Sequence, residues 1–348
     1  MPGRRMRPSV WIVSVVLLFG ASCGGQSGTP KPGASPSASS GPDPVIAAVG
    51  DIACNTYPWV KAPRCAYDQV ARLVKGMGVD RFLVLGDVQY AHGSLKAFRK
   101  YYDRYFGPLK SITSPAPGNH ETYTKFMAGY LAYFGKRAAP HGWWYPEHDG
   151  FYSFDLGGWH FISLNSQLCK GSTWSPQTGK RTPVVHSTAV NEGCGPGTPE
   201  YEWLAHDLAL HPNGTYPCTV AYWHHPLYAW SPWKPDLGEA TLQPMWELLD
   251  RGGVDVVLNG HYHNYQRWAP QDALGRPDPN GITEFIVGTG SDTYEDDFTR
   301  PRPANIRAAQ GTSFGVLKMT LHPSSYDFQF VSAPGEQPYQ DAGHATCR

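Results

Sequence analysis

The segment VDVVLNGHYHNYQR, residues 254–267, places two histidines directly after a run of mostly aliphatic side chains. The run from Val254 to Leu258 predicts a strand buried on both faces, as in parallel sheets. His261 and His263 follow Gly260, and in extended backbone side chains two positions apart point the same way. Two imidazoles in that arrangement could bind one metal ion. They could equally be surface histidines of a loop, so this segment alone leaves both interpretations open.

Four further segments also end a predicted strand in side chains that bind metals. They are AAVGD with Asp51, LVLGDVQY with Asp87 and Tyr90, SPAPGNHE with Asn119 and His120, and AYWHHP with His224 and His225. A GD pair after a strand is on its own as well explained by a turn that the Asp caps. Because the carboxyl ends of parallel strands meet at one edge of a sheet, five such endings favour a single shared site.

The predicted elements that position these loops alternate early in the chain and form hairpins later. Strands are predicted at VIAAVG and RFLVLGD with the helix YDQVARLVKGMG between them, and FYSFDLGGWHFISLN predicts a hairpin. Thr198, Pro199 and Glu200 predict a helix start. The segment TLQPMWELLDRGG predicts another helix before the strand at 254–258. This pattern predicts one α/β domain with two sheets and helices outside them.

Taken in chain order, the motifs GD, GDxxY, GNHE, H-x-P and GHxH resemble those of the calcineurin-like metallophosphoesterases. The form GDVQY is similar to that of the purple acid phosphatases in particular, and the resemblance covers roughly residues 45–330. It implies the catalytic domain of that family. The implied fold is a four-layer α/β/β/α sandwich with two mixed sheets, flanking helices and a metal centre at the strand ends.

The resemblance also implies a centre for two metal ions. The implied ligands of the first ion are Asp51, Asp87, Tyr90 and His263, and those of the second are Asp87, Asn119, His224 and His261. Oxygen ligands from Asp and Tyr suit a hard ion such as Fe(III), whereas a mixed imidazole, amide and carboxylate set suits Zn, Mn or Fe(II). The expected cofactors are therefore Fe(III) and one divalent ion, with Asp87 as the bridging carboxylate.

The activity that the resemblance implies is acid phosphatase-like hydrolysis of phosphate monoesters. A metal-activated hydroxide would attack phosphorus directly, and His120 would be the catalytic residue that faces the substrate. The alternative role of His120 is to orient a metal ligand. We expect Glu121 to orient His120 and His92 to lie at the rim of the site. His225 is expected either to pack under Pro226 or to contact the substrate.

Two other functions remain open at this point. A phosphodiesterase or nucleotidase would use the same metal centre with different pocket loops. A non-catalytic surface binding protein would keep the metals for structure, although all the expected ligands are present. With 29 basic and 29 acidic residues the formal net charge is zero, so small phosphate esters rather than nucleic acids are the expected partners. The sequence does not define the oligomeric state.

The start of the chain has the pattern of an export signal. Arginines precede the apolar run 10–19, which is too short for a comfortable membrane span. The segment FGASC ends at Cys23 and resembles the lipobox of bacterial lipoproteins, with ordinary signal cleavage nearby as the alternative. Residues 24–44 are a Gly/Ser/Pro-rich tether. These features predict a signal segment at 1–23, a catalytic domain at 45–348, and an exported protein held at the outer face of the cell membrane by a lipid on Cys23.

Six cysteines remain after Cys23, an even number that favours disulfides in an exported chain. Short loop closure favours the pairs Cys54–Cys65 and Cys169–Cys194, which leaves Cys218–Cys347. The second of these pairs would staple a predicted insertion near residues 166–197.

Overall fold

The computed structural model describes residues 41–54, 65–140, 150–170, 172–175, 180–183, 194–212, 215–231, 239–290, 293–296, 298 and 301–348. The predicted signal segment and most of the predicted tether lie outside these residues, as does a large part of the predicted insertion. Those assignments stay predictions from the sequence. Within the described part of the chain, no helix is both long enough and apolar enough to cross a lipid bilayer.

Short strands dominate the described residues, and helices connect many of them. The strands are β1 (Val45–Val49), β2 (Arg81–Leu85), β3 (Thr113–Ala116), β4 (Tyr152–Leu156), β5 (Trp159–Ser163), β6 (Ser172–Ser175), β7 (Lys180–Pro183), β8 (Thr219–Tyr222), β9 (Val256–Asn259), β10 (Tyr265–Trp268), β11 (Thr283–Val287), β12 (Ile306–Gln310), β13 (Gly315–Leu321), β14 (Ser325–Ser332) and β15 (Ala342–Thr346). The helices are α1 (Tyr67–Met77), α2 (Leu95–Ala97), α3 (Asp103–Phe106), α4 (Asn119–Thr122), α5 (Ala128–Phe134), α6 (Pro199–Leu210) and α7 (Gln243–Arg251). A π-helical turn at Phe98–Tyr102 joins α2 to α3, and 3-10 segments lie at Gly107–Ile112, Lys125–Met127, Gly135–Arg137, Leu168–Lys170 and Ala240–Leu242.

Two mixed sheets contain most of these strands. The first has the order β15-β14-β13-β1-β2-β3, and the second has the order β12-β10-β11-β9-β8-β5-β4. Strands β1, β2 and β3 are parallel neighbours in the first sheet, whereas β5, β8, β9 and β11 are parallel in the second. The remaining pairings within the two sheets are antiparallel.

The strands that lead into the candidate site belong to both sheets. β1, β2 and β3 lie in the first sheet, while β8 and β9 lie in the second. The expectation that all five strand ends share one sheet edge is therefore wrong. Instead two edges meet, because the N–H of Gly50 after β1 donates to Val287 O at the end of β11, at 2.9 Å.

Successive side chains of the strands in the second sheet point to opposite faces, and each face contributes to a different apolar core. Val220 and Tyr222 of β8 belong to the core shared with the first sheet, whereas Ala221 between them packs in the core that includes α6 and α7. Val70 of α1 belongs to the first core and Trp246 of α7 to the second. Helices therefore flank two facing sheets, which confirms the predicted α/β/β/α sandwich.

Two predicted helix boundaries are confirmed, with one difference in the cap. Helix α6 begins at Pro199 after Thr198, whose backbone is extended (φ −90°, ψ 146°). The Thr198 hydroxyl donates to Gly195 O at 2.8 Å and does not cap the first turn of the helix. Helix α1 ends before Gly78, which has φ 62° and so occupies the left-handed region where glycine stops helices.

All three predicted disulfides are present. They are Cys54–Cys65, Cys169–Cys194 and Cys218–Cys347. The first joins the loop after β1 to the residues that precede α1. The third spans 129 residues and ties the end of the chain to the residue before β8. Removing a native disulfide typically costs about 2–5 kcal/mol in a small secreted domain.

Candidate metal centre

The seven predicted ligands lie together where the two sheets meet. β1 leads into Asp51, β2 into Asp87 and Tyr90, β3 into Asn119, β8 into His224, and β9 into His261 and His263. Three strand ends of one sheet and two of the other therefore supply one site. The motifs are far apart in the sequence, and the pairing of distant strands brings them close together.

One donor group combines a phenol, a carboxylate and an imidazole. The Tyr90 hydroxyl lies 2.8 Å from Asp51 Oδ1 and 3.0 Å from His263 Nε2. His263 Nε2 lies 3.3 Å from Asp51 Oδ1. Asp51 is fully buried and Tyr90 is nearly so. Three donor atoms at these mutual distances suit a single ion with a preference for hard oxygen ligands.

Four donor atoms form a second group around His224. Its Nε2 atom lies 3.3 Å from Asp87 Oδ2, 3.2 Å from Asn119 Oδ1 and 3.3 Å from His261 Nδ1. Both His224 and Asp87 are buried. The group contains all four ligands that the sequence assigned to a second ion.

Asp51, Asp87 and His224 connect the two groups, since one ligand atom of each lies within 4.8 Å of the others. Asp51 Oδ2 also accepts a hydrogen bond from the His261 N–H at 2.8 Å, and Asp87 Oδ1 accepts one from the His120 N–H at 2.9 Å. The two groups are thus neighbours in one buried network. Their donor chemistry fits two ions side by side, with hard oxygens in the first group and a mixed set in the second.

Three of the candidate ligands hold left-handed backbone conformations that non-glycine residues rarely adopt. The angle φ is 60° at Asp51, 43° at Asp87 and 73° at His261. Each such residue costs roughly 1–3 kcal/mol and persists where the surrounding structure enforces it, often at functional sites. Glycines allow the close approach: a Cβ on Gly118 would lie 2.2 Å from Asp87 Oδ1, and one on Gly260 would lie 2.8 Å from Asp51 Oδ2.

Hydrogen bonds on the far ring nitrogen orient three of the histidines. Nδ1 of His224 and Nδ1 of His120 donate to backbone carbonyl oxygens at 2.9 and 2.8 Å. Nδ1 of His263 is hydrogen-bonded to the hydroxyl of Thr293. Such partners fix the ring orientation and the tautomer of a metal-binding histidine. They leave Nε2 of His224 and His263 directed at the other donor atoms.

Opposite charges inside the site shift the pKa values of its buried groups. Burial raises the pKa of the Asp87 carboxyl, but the nearby charges of His224 and His120 outweigh this and hold it well below its usual range. Burial lowers the pKa of His224, but the Asp87 carboxylate outweighs this and raises it to about 9. An ionised Asp87–His224 pair is therefore favoured. Because a metal needs the neutral imidazole, binding an ion at His224 would release a proton.

His120 lies beside the donor atoms, as expected. Its Nε2 atom lies 3.7 Å from Asp87 Oδ2, and 16% of its side chain is exposed, so a ligand can reach it. The Tyr123 ring packs against it with centroids 4.7 Å apart. His92 also lies near Tyr123, with ring centroids 6.3 Å apart. Burial and then the charge of His120 lower the pKa of His92. His92 is thus a neighbour of the site, as expected.

Glu121 has a different partner from the one expected. Its Oε1 atom accepts hydrogen bonds from the backbone N–H groups of Val88 and Gln89, both at 3.1 Å. Burial and the charge of Asp87 raise its pKa to about 8. The expectation that Glu121 orients the His120 ring is wrong, because the α4 turn directs the carboxylate at the loop after β2. Glu121 braces the loop that holds Asp87.

His225 is buried, which argues against contact with a substrate. Its Nδ1 atom lies 2.9 Å from Ser166 Oγ and 2.9 Å from Gln167 Nε2. The centroids of the His225 and His261 rings are 4.1 Å apart. His225 therefore connects the residues after β5 to a candidate metal ligand.

Two residues after β11 also contact the site, and the sequence pattern did not predict them. Thr293 bonds the His263 ring, as described above, and Glu295 Oε2 accepts a hydrogen bond from the His263 backbone N–H at 3.2 Å. Both residues follow the end of β11 (Thr283–Val287), and a position shortly after a buried strand was the available signal. Thr and Glu in the polar stretch that follows have no spacing typical of metal ligands, which is why the pattern did not single them out.

Comparison with known proteins agrees with this geometry. The family model described as calcineurin-like phosphoesterase matches residues 44–265, and the chain belongs to that family. Purple acid phosphatase 15 of Arabidopsis thaliana is 26% identical over 270 residues, which cover 70% of this chain and 44% of that protein. The chain thus spans about half the length of the curated relatives it matches.

Solved structures show the same fold. A purple acid phosphatase from seeds of yellow lupin (Lupinus luteus) aligns with a TM-score of 0.60 at 18% identity, over 87% of this chain and 53% of that chain. GAP50, the anchor in the inner membrane complex of Plasmodium, aligns with a TM-score of 0.59 at 11% identity, over 88% of this chain and 90% of that chain. The purple acid phosphatases related to this chain in sequence, together with the clustered donors, imply a centre of two metal ions.

Proposed function

We propose that the chain is an acid phosphatase-like enzyme that hydrolyses phosphate monoesters at a two-metal centre. The observation that supports this most strongly is the adjacency of the two donor groups, linked by Asp51, Asp87 and His224 within 4.8 Å. Purple acid phosphatases among its relatives support the substrate class. A structural role for metals would not require an additional histidine, His120, that is partly exposed beside them.

The donor types suggest which ion each group would hold. The first group, with the Tyr90 phenol and the Asp51 carboxylate, would hold Fe(III), while the second would hold a divalent Zn, Mn or Fe ion. Two such ions would supply an acidified water and neutralise charge on a bound phosphoryl group.

The chain's own residues have distinct tasks in this proposal. His120 keeps one ring nitrogen on a backbone carbonyl oxygen, so Nε2 is the atom available to a phosphoryl oxygen or to the leaving group. When both ring nitrogens are protonated, Nε2 can donate a hydrogen bond or a proton; when Nε2 is unprotonated, it can accept one. Glu121 and Thr293 hold the loop of Asp87 and the ring of His263 in place. His225 is hydrogen-bonded to Ser166, and its ring packs against that of His261.

Export to the cell surface is part of the same proposal. It rests on the signal pattern that ends at Cys23 and on the Gly/Ser/Pro-rich residues 24–44. The three disulfides in the described residues support it, since such bonds persist in oxidising compartments. A lipid on Cys23 would hold the enzyme at the outer face of the membrane.

The direct test compares hydrolysis of p-nitrophenyl phosphate with that of bis(p-nitrophenyl) phosphate. We expect the monoester to react faster, and we expect Asp87→Ala to reduce the rate to background while the protein stays folded. Asp68→Ala is the matched control, since Asp68 pairs with Arg72 on the surface of α1, away from the donor groups. Faster hydrolysis of the diester would favour the phosphodiesterase alternative. Inactivity towards both esters with both ions bound would favour the non-catalytic one.

A further inference from the structure

A second set of metal-type ligands lies on the C-terminal strands. His322, Asp327 and His344, called here the hairpin cluster, belong to three consecutive antiparallel strands or their ends. His322 directly follows β13, and Asp327 in β14 pairs directly with His344 in β15. In the turn, the His322 N–H donates to Ser325 O at 2.9 Å. Strand pairing therefore fixes the relative positions of these three side chains.

The distances within the hairpin cluster suit a tetrahedral ion. His322 Nε2 lies 3.1 Å from Asp327 Oδ2, and His344 Nδ1 lies 2.8 Å from Asp327 Oδ1. One ligand atom from each of the three residues lies within 4.8 Å of the others. Zinc binds imidazole and carboxylate at about 2.0–2.2 Å, which places neighbouring ligand atoms roughly 3.3 Å apart. Small side-chain adjustments would thus complete three ligand bonds.

Asp43 supplies the orienting group that such a site needs. Its Oδ2 atom lies 2.6 Å from His322 Nδ1, the ring nitrogen that faces away from Asp327. A metal-binding histidine almost always donates its other N–H to a carboxylate, a carbonyl or water. The backbone of His322 is held as well, because the Trp159 indole N–H donates to its carbonyl oxygen at 2.7 Å.

The hairpin cluster is separate from the catalytic centre. Val45 at the start of β1 pairs with Thr320 of β13, so His322 lies beside the amino end of β1. Asp51 and its partners lie beyond the carboxyl end of that strand. No ligand of one site is thus shared with the other.

The stability gained from surface ion pairs does not explain why His322, Asp327 and His344 lie together. The side chains of Asp327 and His344 are each 55% exposed, and exposed ion pairs contribute little to stability. In the described residues, the ion pairs of Asp43 and Asp327 all involve histidines and no lysine or arginine. Asp327 therefore faces groups that can share a metal ion with it, and solvent exposure gives the ion a path of entry.

We propose that the hairpin cluster binds one divalent transition-metal ion, with zinc as the ion that two imidazoles and a carboxylate favour. His322 Nε2, Asp327 and His344 Nδ1 are its ligands, Asp43 orients His322, and water completes the coordination. Through Asp43, the site links the C-terminal strands to the last residues of the predicted tether. This site is independent of the proposed phosphatase activity.

The test is a zinc titration of the full chain by calorimetry, after both catalytic ions are in place and loosely bound metal is removed. We expect one further equivalent of zinc to bind to the wild type. His344→Ala should weaken this binding at least tenfold, and Asp43→Asn should weaken it about 10–100-fold, as partners of ligating histidines do. His206→Ala removes an exposed histidine of α6 and should titrate like the wild type.

Two results would overturn the proposal. One is the absence of zinc binding beyond the catalytic complement in the wild type. The other is a His344→Ala titration that matches those of the wild type and of His206→Ala. Because His344 is an exposed residue outside the catalytic centre, p-nitrophenyl phosphate hydrolysis should stay unchanged in His344→Ala, which separates this site from the catalytic one.

Discussion

His224 Nε2 lies 3.3 Å from Asp87 Oδ2, although these residues follow strands of different sheets. Asp87 follows β2 of the first sheet, and His224 follows β8 of the second. The candidate centre thus exists only when both sheets have formed and packed face to face. Any ion bound by both residues would also hold the sheets together at this edge.

Tyr90 provides a spectroscopic test of the first donor group. If its phenol, 2.8 Å from Asp51 Oδ1, binds Fe(III), phenolate-to-iron charge transfer should give the iron-loaded protein a purple or pink colour. We expect Tyr90→Phe to lose the visible band while it retains the fold. Tyr123→Phe is the control, since Tyr123 packs on His120 and is not a predicted ligand. An active, iron-loaded wild type with no visible band would contradict the assignment of Tyr90.

His120 should affect the chemical step more than metal binding. Its Nδ1 bond to a backbone carbonyl oxygen and the 3.7 Å from Nε2 to Asp87 place it beside the donors. We expect His120→Ala to lower kcat about 10²–10⁴-fold, the range for general acid–base groups, with both ions retained by elemental analysis. His92→Ala should change kcat only a few-fold. Equal losses in the two variants, or loss of metal from His120→Ala, would argue for a positioning role.

The sequence located the chemistry of the site better than its architecture. Each of the motifs around Asp51, Asp87, Asn119, His224 and His261 marks a strand end, because a buried run followed by a ligand-type side chain is a local pattern. The division of these strands between two sheets depends on long-range pairing, such as that of β8 with β9 and β5. That information is not local, so the strand ends were assigned to one edge.

Residues that hold the ligands in place were harder to predict than the ligands themselves, for a related reason. Glu121 follows His120 in sequence, yet the α4 turn directs its carboxylate at the N–H groups of Val88 and Gln89. Thr293 is 30 residues from His263 in sequence, yet it follows β11 and its hydroxyl is hydrogen-bonded to the His263 ring. Which polar side chain reaches which partner depends on the fold of the loops, whereas the identity of a ligand depends on its own chemistry.

Glu200 predicts how stability changes with pH. Its Oε1 atom accepts the Asn165 N–H at 2.6 Å, while Oε2 has no hydrogen-bond partner in the described residues. Burial raises its pKa to about 8 from 4.5. The folded state therefore binds more protons than the unfolded state between those pH values, so this group lowers stability as pH rises through the window. Below pH 4.5 Glu200 is protonated in both states and causes no loss of stability. Above pH 8 it is ionised in both states, and the loss of stability is complete.

Glu200→Gln removes this titration and keeps an oxygen acceptor for Asn165. Its free energy of unfolding should rise relative to that of the wild type between pH 5 and pH 8, by at most about 5 kcal/mol at about 1.4 kcal/mol per pKa unit. Urea denaturation at several pH values, with the same metals present, measures the difference. Glu202→Gln on the same helix is exposed and should show no such trend. A difference independent of pH would rule out the assigned titration.

Cys23 should carry a lipid in cells. Labelling with a clickable fatty-acid analogue should mark the wild type, and Cys23→Ser should lose the mark and appear in the soluble extracellular fraction. The reason is that Cys23 ends the lipobox-like segment and precedes the tether. An unlabelled wild type whose mature N-terminus lies away from Cys23 would instead show ordinary signal cleavage.

If two ions held by the paired donor groups are needed to hydrolyse phosphate esters, activity should depend on metal content. The most direct measurement follows metal content and p-nitrophenyl phosphate hydrolysis in one sample as metal is removed by chelation and then restored. We expect two ions per chain in the active protein, with activity lost on chelation and regained as the second equivalent returns. A folded protein that binds two ions per chain and hydrolyses neither phosphate monoesters nor diesters would rule out a phosphoesterase function.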